Sequence, residues 1–106
     1  MIEALRERLP DRRASDSFNF EVNGFRYVAT LSRFDDGRPA EIFLGNGKAG
    51  STTDTAARDS AVVASIALQH GVSLETMRRG LLRDSQGRPS GPLGAALDLL
   101  ASEQTA

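Results

Sequence analysis

The chain has no cysteine and no tryptophan, and it carries a single histidine and a single tyrosine among 106 residues. Without a thiol it cannot close a disulfide, ligate an iron–sulfur cluster, build a cysteine zinc site or carry out thiolate chemistry. A large charge of one sign is also missing: Lys+Arg 13 against Asp+Glu 14 leave a formal net charge of −1, so composition points to no strongly charged partner. No apolar run approaches the ~18 residues of a membrane helix. The opening MIEALRERLP lacks the apolar centre of a secretory signal. These absences lead us to expect a cytoplasmic protein with no membrane partner. What is present is ordinary for a globular chain: 40% hydrophobic and 25% charged residues. The length suits one compact domain with a real core and is too short for two.

Local patterning divides that single domain into an N-terminal arm (1–16), a β-meander (17–44) and a helical part (51–103). In the arm, Ile2, Leu5 and Leu9 recur at helical spacing, which predicts a short helix over 2–9 ended by Pro10. The polar DRRASD after it reads as extended. The clearest local signal is SFNFEV-NG-FRYVAT. Asn23-Gly24 between two alternating runs marks a two-residue hairpin, because both turn positions require positive φ. That loop length sets the register: Val22 opposes Phe25, Phe20 opposes Tyr27 and Phe18 opposes Ala29 on one face. Glu21 then meets Arg26, and Ser17 meets Thr30, on the other. Asp35-Asp36-Gly37 makes a second turn, and PAEIFL a third strand with Pro39 at its permitted first position. Ala40, Ile42 and Leu44 share its inner face.

A three-stranded antiparallel meander with one apolar face needs a cover. From Thr55 to His70 the chain is rich in Ala, Val and Ile. Val62, Val63, Ile66 and Ala67 form the stripe expected to lie buried on the sheet. Gly71 stops this helix. Ser73 caps a second, carrying Leu74, Met77, Leu81 and Leu82. After the polar loop RDSQGRPSG, Pro92 opens a third helix with Leu93, Ala96, Leu97 and Leu100 on one face; the tail SEQTA is expected to fray. GRP occurs at 37–39 and again at 87–89, which we read as repeated turn chemistry and not as an internal repeat. The fold class is therefore α+β: a β-meander packed against a long central helix and two shorter C-terminal helices.

GNGKAGSTTD, residues 45–54, lies where a glycine-rich loop can hold a phosphate. The Walker pattern fails, since Ile42 stands where its first glycine belongs and Ala49 where its hydroxyl belongs. Gly45, Gly47 and Gly50 have dinucleotide-loop spacing, but the antiparallel context is wrong for that fold. Two readings stay open. Gly47, Lys48, Gly50, Ser51 and Thr52 form an anion site at a helix N-terminus; or the glycines only turn the chain, and Ser51 or Thr52 only caps the helix, with Ser51-x-x-Asp54 as a capping box.

Three blocks occur in order: RLPDRRASDSFNFEVNGFRYVAT, DGRPAEIFLGNGKAGST and SIALQHGVSLETM. Together they resemble the C-terminal domain of adenosylcobalamin-dependent (class II) ribonucleotide reductases, the TSCPD domain, over roughly residues 8 to 82. The resemblance implies an α+β unit that acts as a free-standing relative of an accessory domain, binding nucleotide or nucleic acid or associating with a larger reductase-type enzyme. Reductase chemistry does not carry over, because a thiyl radical needs a thiol and this sequence has none.

ALQHGVSLETM (67–77) fits a helix-turn-helix whose second helix offers Ser73, Glu75, Thr76, Arg78 and Arg79, which makes a small DNA-binding regulator the alternative function. Arg6, Arg8, Arg12 and Arg13 form one basic cluster and Arg78, Arg79 and Arg83 another; of these, Arg12 and Arg13 join the anion-site candidates, being in an extended segment. His70, alone and at a helix end, reads as structural. Asp54 and Asp59 do not share a face closely enough for paired acid–base work. We therefore expect no catalytic residues, no metal and no cofactor. We also expect a homodimer, because a small meander leaves edge strands for a twin to cover. An enzyme acting on a phosphorylated small molecule at the glycine loop is the remaining hypothesis.

Overall fold

The computed structural model describes residues 5–9 and 15–105. In it the chain runs β1 (Ser15–Val22), β2 (Phe25–Arg33), β3 (Pro39–Gly45), α1 (Thr52–Gln69), α2 (Leu74–Gly80) and α3 (Pro92–Thr105). The strands form one open antiparallel sheet in the order β1-β2-β3, so the fold is α+β as the sequence implied. Asn23 (φ 52) and Gly24 (φ 82) both take the left-handed conformation, the type I′ turn that matches the twist of the strands it joins. The predicted register follows, from Val22–Phe25 back through Glu21–Arg26, Phe20–Tyr27 and Phe18–Ala29 to Ser17–Thr30. Rings line the inner face, with Phe20 and Tyr27 stacked at 5.9 Å between centroids. On the outer face the hydroxyls of Ser17 and Thr30 meet at 2.9 Å.

The two GRP turns are built alike. Phe34 N and Arg38 O pair across the first, as Asp84 N and Arg88 O do across the second. Asp36 and Asp84 each accept from the backbone N–H of the following arginine, Arg38 or Arg88. Arg33 and Arg83 each donate to the glycine carbonyl, Gly37 or Gly87. Both aspartates are thereby held below the ordinary carboxylate pKa, chiefly by those backbone bonds.

The core joins Tyr27, Ala29, Leu31, Ile42 and Leu44 of the sheet to Ala57, Ala61 and Ala64 of α1 and to Ala96, Leu97 and Leu100 of α3. This corrects the expected face of α1. Val62, Val63 and Ile66 point outward, 53%, 67% and 38% exposed, and the alanine stripe faces the sheet. Small side chains let the helix lie close enough for Ser65 and Gln69, both buried, to reach the edge of β3. Ile42 N donates to Ser65 Oγ (2.9 Å), Ser65 Oγ donates to Ile42 O (3.0 Å), and Gln69 Nε2 donates to Ala40 O (2.9 Å). Buried backbone groups must be paired, and these two side chains stand in for a fourth strand.

Both ends of α1 and the start of α2 follow their sequence signals. Ser51 caps α1 and Ser73 caps α2 through their hydroxyls. Gly71 (φ 86) closes α1 with two bonds, Gly71 N to Leu68 O and Val72 N to Ala67 O, the Schellman arrangement. Three expectations are corrected. Residues 5–9 are not helical: Glu7 N donates to Gln69 O at 2.7 Å and its carboxylate receives Arg38, so tertiary partners replace the local ladder. Residues 1–4 and 10–14 lie outside the described residues. The second helix stops at Gly80, leaving Leu82 outside it and 77% exposed. The third runs on through SEQT to Thr105 and does not fray at Ser102.

Candidate functional site

The glycine loop brings Gly47, Lys48, Gly50, Ser51 and Thr52 together at the start of α1, with Gly47 (φ 77) and Gly50 (φ 81) in conformations that disfavour other residues. Asn46 organises it. Its side chain accepts from Lys48 N (3.0 Å) and donates to Thr53 Oγ1 (2.9 Å), and its N–H donates to Asp54 Oδ1 (2.8 Å). Ser51 Oγ accepts from Asp54 N at 3.2 Å. The expected capping box is only half formed, because Asp54 reaches back to Asn46 and Ser51 N donates to Lys48 O instead. The buried Asp54 carboxylate, 3% exposed, places the chain's own negative charge in the first turn of α1, where the helix dipole favours it. Outward of it, Gly47, Lys48, Gly50 and Thr52 are exposed. Lys48 Nζ rests 5.7 Å from the centroid of the Phe25 ring. Arg12 and Arg13 lie outside the described residues.

Beside this loop a cleft of about 450 Å³ opens between the first half of α1 and residues 81–94. Its walls are mainly apolar, from Ala56, Leu81, Leu82, Pro92 and Leu93, and among the described residues Tyr27 is the aromatic that lines it. Thr53 belongs to both features: it lines the cleft and receives Asn46 of the loop. Phe25, under Lys48, has its ring 6.5 Å from that of Tyr27. Asn23 Nδ2 donates to Ser90 O (3.0 Å), tying the β1–β2 turn to the far wall. At Gly94 an added Cβ would lie 3.0 Å from Pro89 Cβ, tighter than ordinary van der Waals contact. Sequence reading missed the cleft. Leu82 was the available signal, a leucine that follows Gly80, a residue able to end a helix before it.

The second basic cluster is committed internally. Asp98 accepts both Arg83 nitrogens, at 2.7 and 2.8 Å, and Arg78 Nε at 2.8 Å. Hydrogen bonding from Arg83 first, with that from Arg78, holds its carboxyl at a pKa of about 2 against the opposing effect of burial. Arg78 and Arg79 both pair with Glu75. A recognition helix needs cations free to meet phosphates, so the geometry adds nothing to the helix-turn-helix reading of 67–79. His70 sits at the C-cap of α1, its Nδ1 2.9 Å from Ile66 O. Among the described residues no three His, Asp or Glu side chains gather as a metal site would require, and no helix is long and apolar enough to cross a membrane.

Fold and site together define a small α+β module: an open sheet, one edge sealed by a helix, with an apolar cleft beside a glycine loop. Its kinship is with a short region of vitamin B12-dependent ribonucleotide reductases. It is 39% identical over 72 residues to the enzyme of Rhodopirellula baltica, 68% of this chain but 7% of that one. It is 34% identical over 70 residues to that of Bradyrhizobium diazoefficiens, 66% of this chain and 6% of the enzyme. It is 35% identical over 72 residues to that of Streptantibioticus cattleyicolor, 68% of this chain and 12% of the enzyme. The chain thus spans only a small fraction of the length of these relatives, in agreement with the resemblance to one reductase domain. No family model matches the chain, and no solved structure matches it.

Proposed function

We propose that the chain is a non-catalytic accessory module of the ribonucleotide-reductase type, which binds a nucleotide or a related anion and serves a larger reductase-type enzyme in the cytoplasm. One observation carries the ligand reading: the glycine loop and the apolar cleft share Thr53 as a common wall. A ligand with a flat ring and a phosphate suits that junction. The ring enters among Tyr27, Leu81, Leu82 and Leu93, and the phosphate turns toward Lys48 and the exposed amides of the loop. The absence of any thiol in the sequence supports the non-catalytic part, because this chain supplies no cysteine for radical or redox work.

Thermal-shift titration of the full chain with nucleotides, deoxynucleotides, polyphosphate and inorganic phosphate tests the proposal. A nucleotide at a hundred times its dissociation constant adds about 2.7 kcal/mol, on the order of 10 °C for a domain of this size. Lys48→Ala is expected to abolish the shift while leaving the unliganded melt unchanged, since Lys48 is exposed. If inorganic phosphate moves the melting temperature as far as a nucleotide does, the cleft takes no part and only the anion site remains; if none of these ligands moves it, the ligand reading fails.

A further inference from the structure

The order β1-β2-β3 leaves two sheet edges, and the structure treats them differently. The β3 edge begins with Pro39 and has backbone groups of Ala40 and Ile42 taken by Gln69 and Ser65 of α1. Among the described residues the β1 edge has no such protection. Its sequence SDSFNFEV holds no proline and no lysine, its pairing with β2 has no bulge, and among the described residues no backbone group bonds to its outer side. Exposed edges left without these devices recruit another strand.

We propose that the outer edge of β1 is the self-association surface of this chain, and that a second copy adds its own β1 antiparallel in a single register centred on Asn19. The two-residue turn makes Val22 and Phe25 a hydrogen-bonded pair. Alternation then turns the amides of Phe18 and Phe20 toward β2 and those of Ser17, Asn19 and Glu21 outward. A twofold axis at Asn19 pairs it with its own copy, Ser17 with Glu21, and Phe18 with Phe20, so every contact is reciprocal as an isologous interface requires. The phenylalanines fall at non-hydrogen-bonded positions, where opposed Cα atoms approach to about 4.5 Å. Both rings are only half-buried in the single chain, 6.4 Å apart and contiguous with Tyr27. The partner continues that cluster across the axis. No like charges oppose, since Glu21 faces Ser17 and Asp16 faces Val22. Shifting the register by one residue sets phenylalanine against polar neighbours and loses the match.

Sedimentation velocity on the full chain tests this, with dimer expected to form as concentration rises. Asn19→Pro removes an N–H that points away from β2, so the hairpin is kept. The dimer loses two donors at once, and its dissociation constant rises about tenfold or more. Should that variant not fold, Asn19→Lys sets two like charges at the axis and serves the same purpose. In this cysteine-free chain, Asn19→Cys is expected to give a disulfide-linked dimer on mild oxidation, because paired Cα atoms about 5.5 Å apart fall within disulfide reach. Phe43→Cys, exposed on β3, is expected not to. A wild-type chain that stays monomeric while Asn19→Cys stays unlinked overturns the proposal. So does a dimer indifferent to both Asn19→Pro and Asn19→Lys but lost in Val63→Lys, which moves the contact to the outer face of α1.

Discussion

Replacing Ser65 with alanine deletes one hydroxyl and leaves two backbone groups of Ile42 without their partner. Ser65 is 7% exposed and Ile42 1%, so water has little room to take the place of the hydroxyl. An unsatisfied buried donor or acceptor costs about 1–3 kcal/mol, with carbonyls the more tolerant. Summed over the N–H and the C=O, the expected destabilisation is about 2–4 kcal/mol. For a domain of this size that lowers the melting temperature by roughly 10–15 °C. Urea unfolding read by circular dichroism measures it, with an unchanged denaturant slope to show that the native state keeps its compactness. Ser60→Ala is the control: that hydroxyl donates only to Ala57 O in its own helix, and its loss should cost no more than about 0.5 kcal/mol. A Ser65→Ala protein within about 0.5 kcal/mol of wild type would refute the idea that α1 seals the β3 edge through this side chain.

Asp98 makes stability depend on pH at the acid end. Its carboxyl titrates at about 2 in the folded chain, below its unfolded value near 4, so the contribution of the Arg78–Asp98–Arg83 cluster is complete above about pH 4 and fades as pH falls toward 2. Asp98→Asn is expected to cost about 1 kcal/mol at pH 7, discounted for partial exposure, with the gap to wild type narrowing by pH 3 in parallel denaturation curves; a constant gap would count against the cluster. Val63→Lys, at a 67% exposed position, is expected to change stability by no more than about 0.5 kcal/mol, and Ala61→Lys, at a 1% exposed position, to prevent folding. Equal melting of the two lysine variants would mean that the inward face of α1 has been assigned wrongly.

The parts legible in the sequence are those governed by neighbours along the chain. Asn23-Gly24 sets the hairpin register because two adjacent positive φ angles leave one way to reverse the strand. Gly71, Ser73 and Pro92 mark helix limits for equally local reasons. The paired GRP turns belong with them, each tied by an aspartate and an arginine a few residues apart. Of the site, only the glycine loop was visible, because its residues are consecutive. The cleft was not, since its walls come from β2, α1 and residues 81–94, which sequence separation conceals.

α1 shows where local reading ends. Two helical stripes compete on it, and Val62, Val63 and Ile66 are the more hydrophobic. The folded chain buries the stripe of Ala57, Ala61, Ala64 and Leu68 instead, because only that rotation carries Ser65 and Gln69 to the backbone of β3. Sequence alone determined the strands, the register of the β1–β2 hairpin, the stop at Gly71, the cap at Ser73 and the impossibility of thiol chemistry, all matters of covalent type and near neighbours. Tertiary structure alone decided which face of α1 lies inward, which sheet edge is sealed and where the cleft opens. Those depend on satisfying buried polar groups that meet only when distant segments come together.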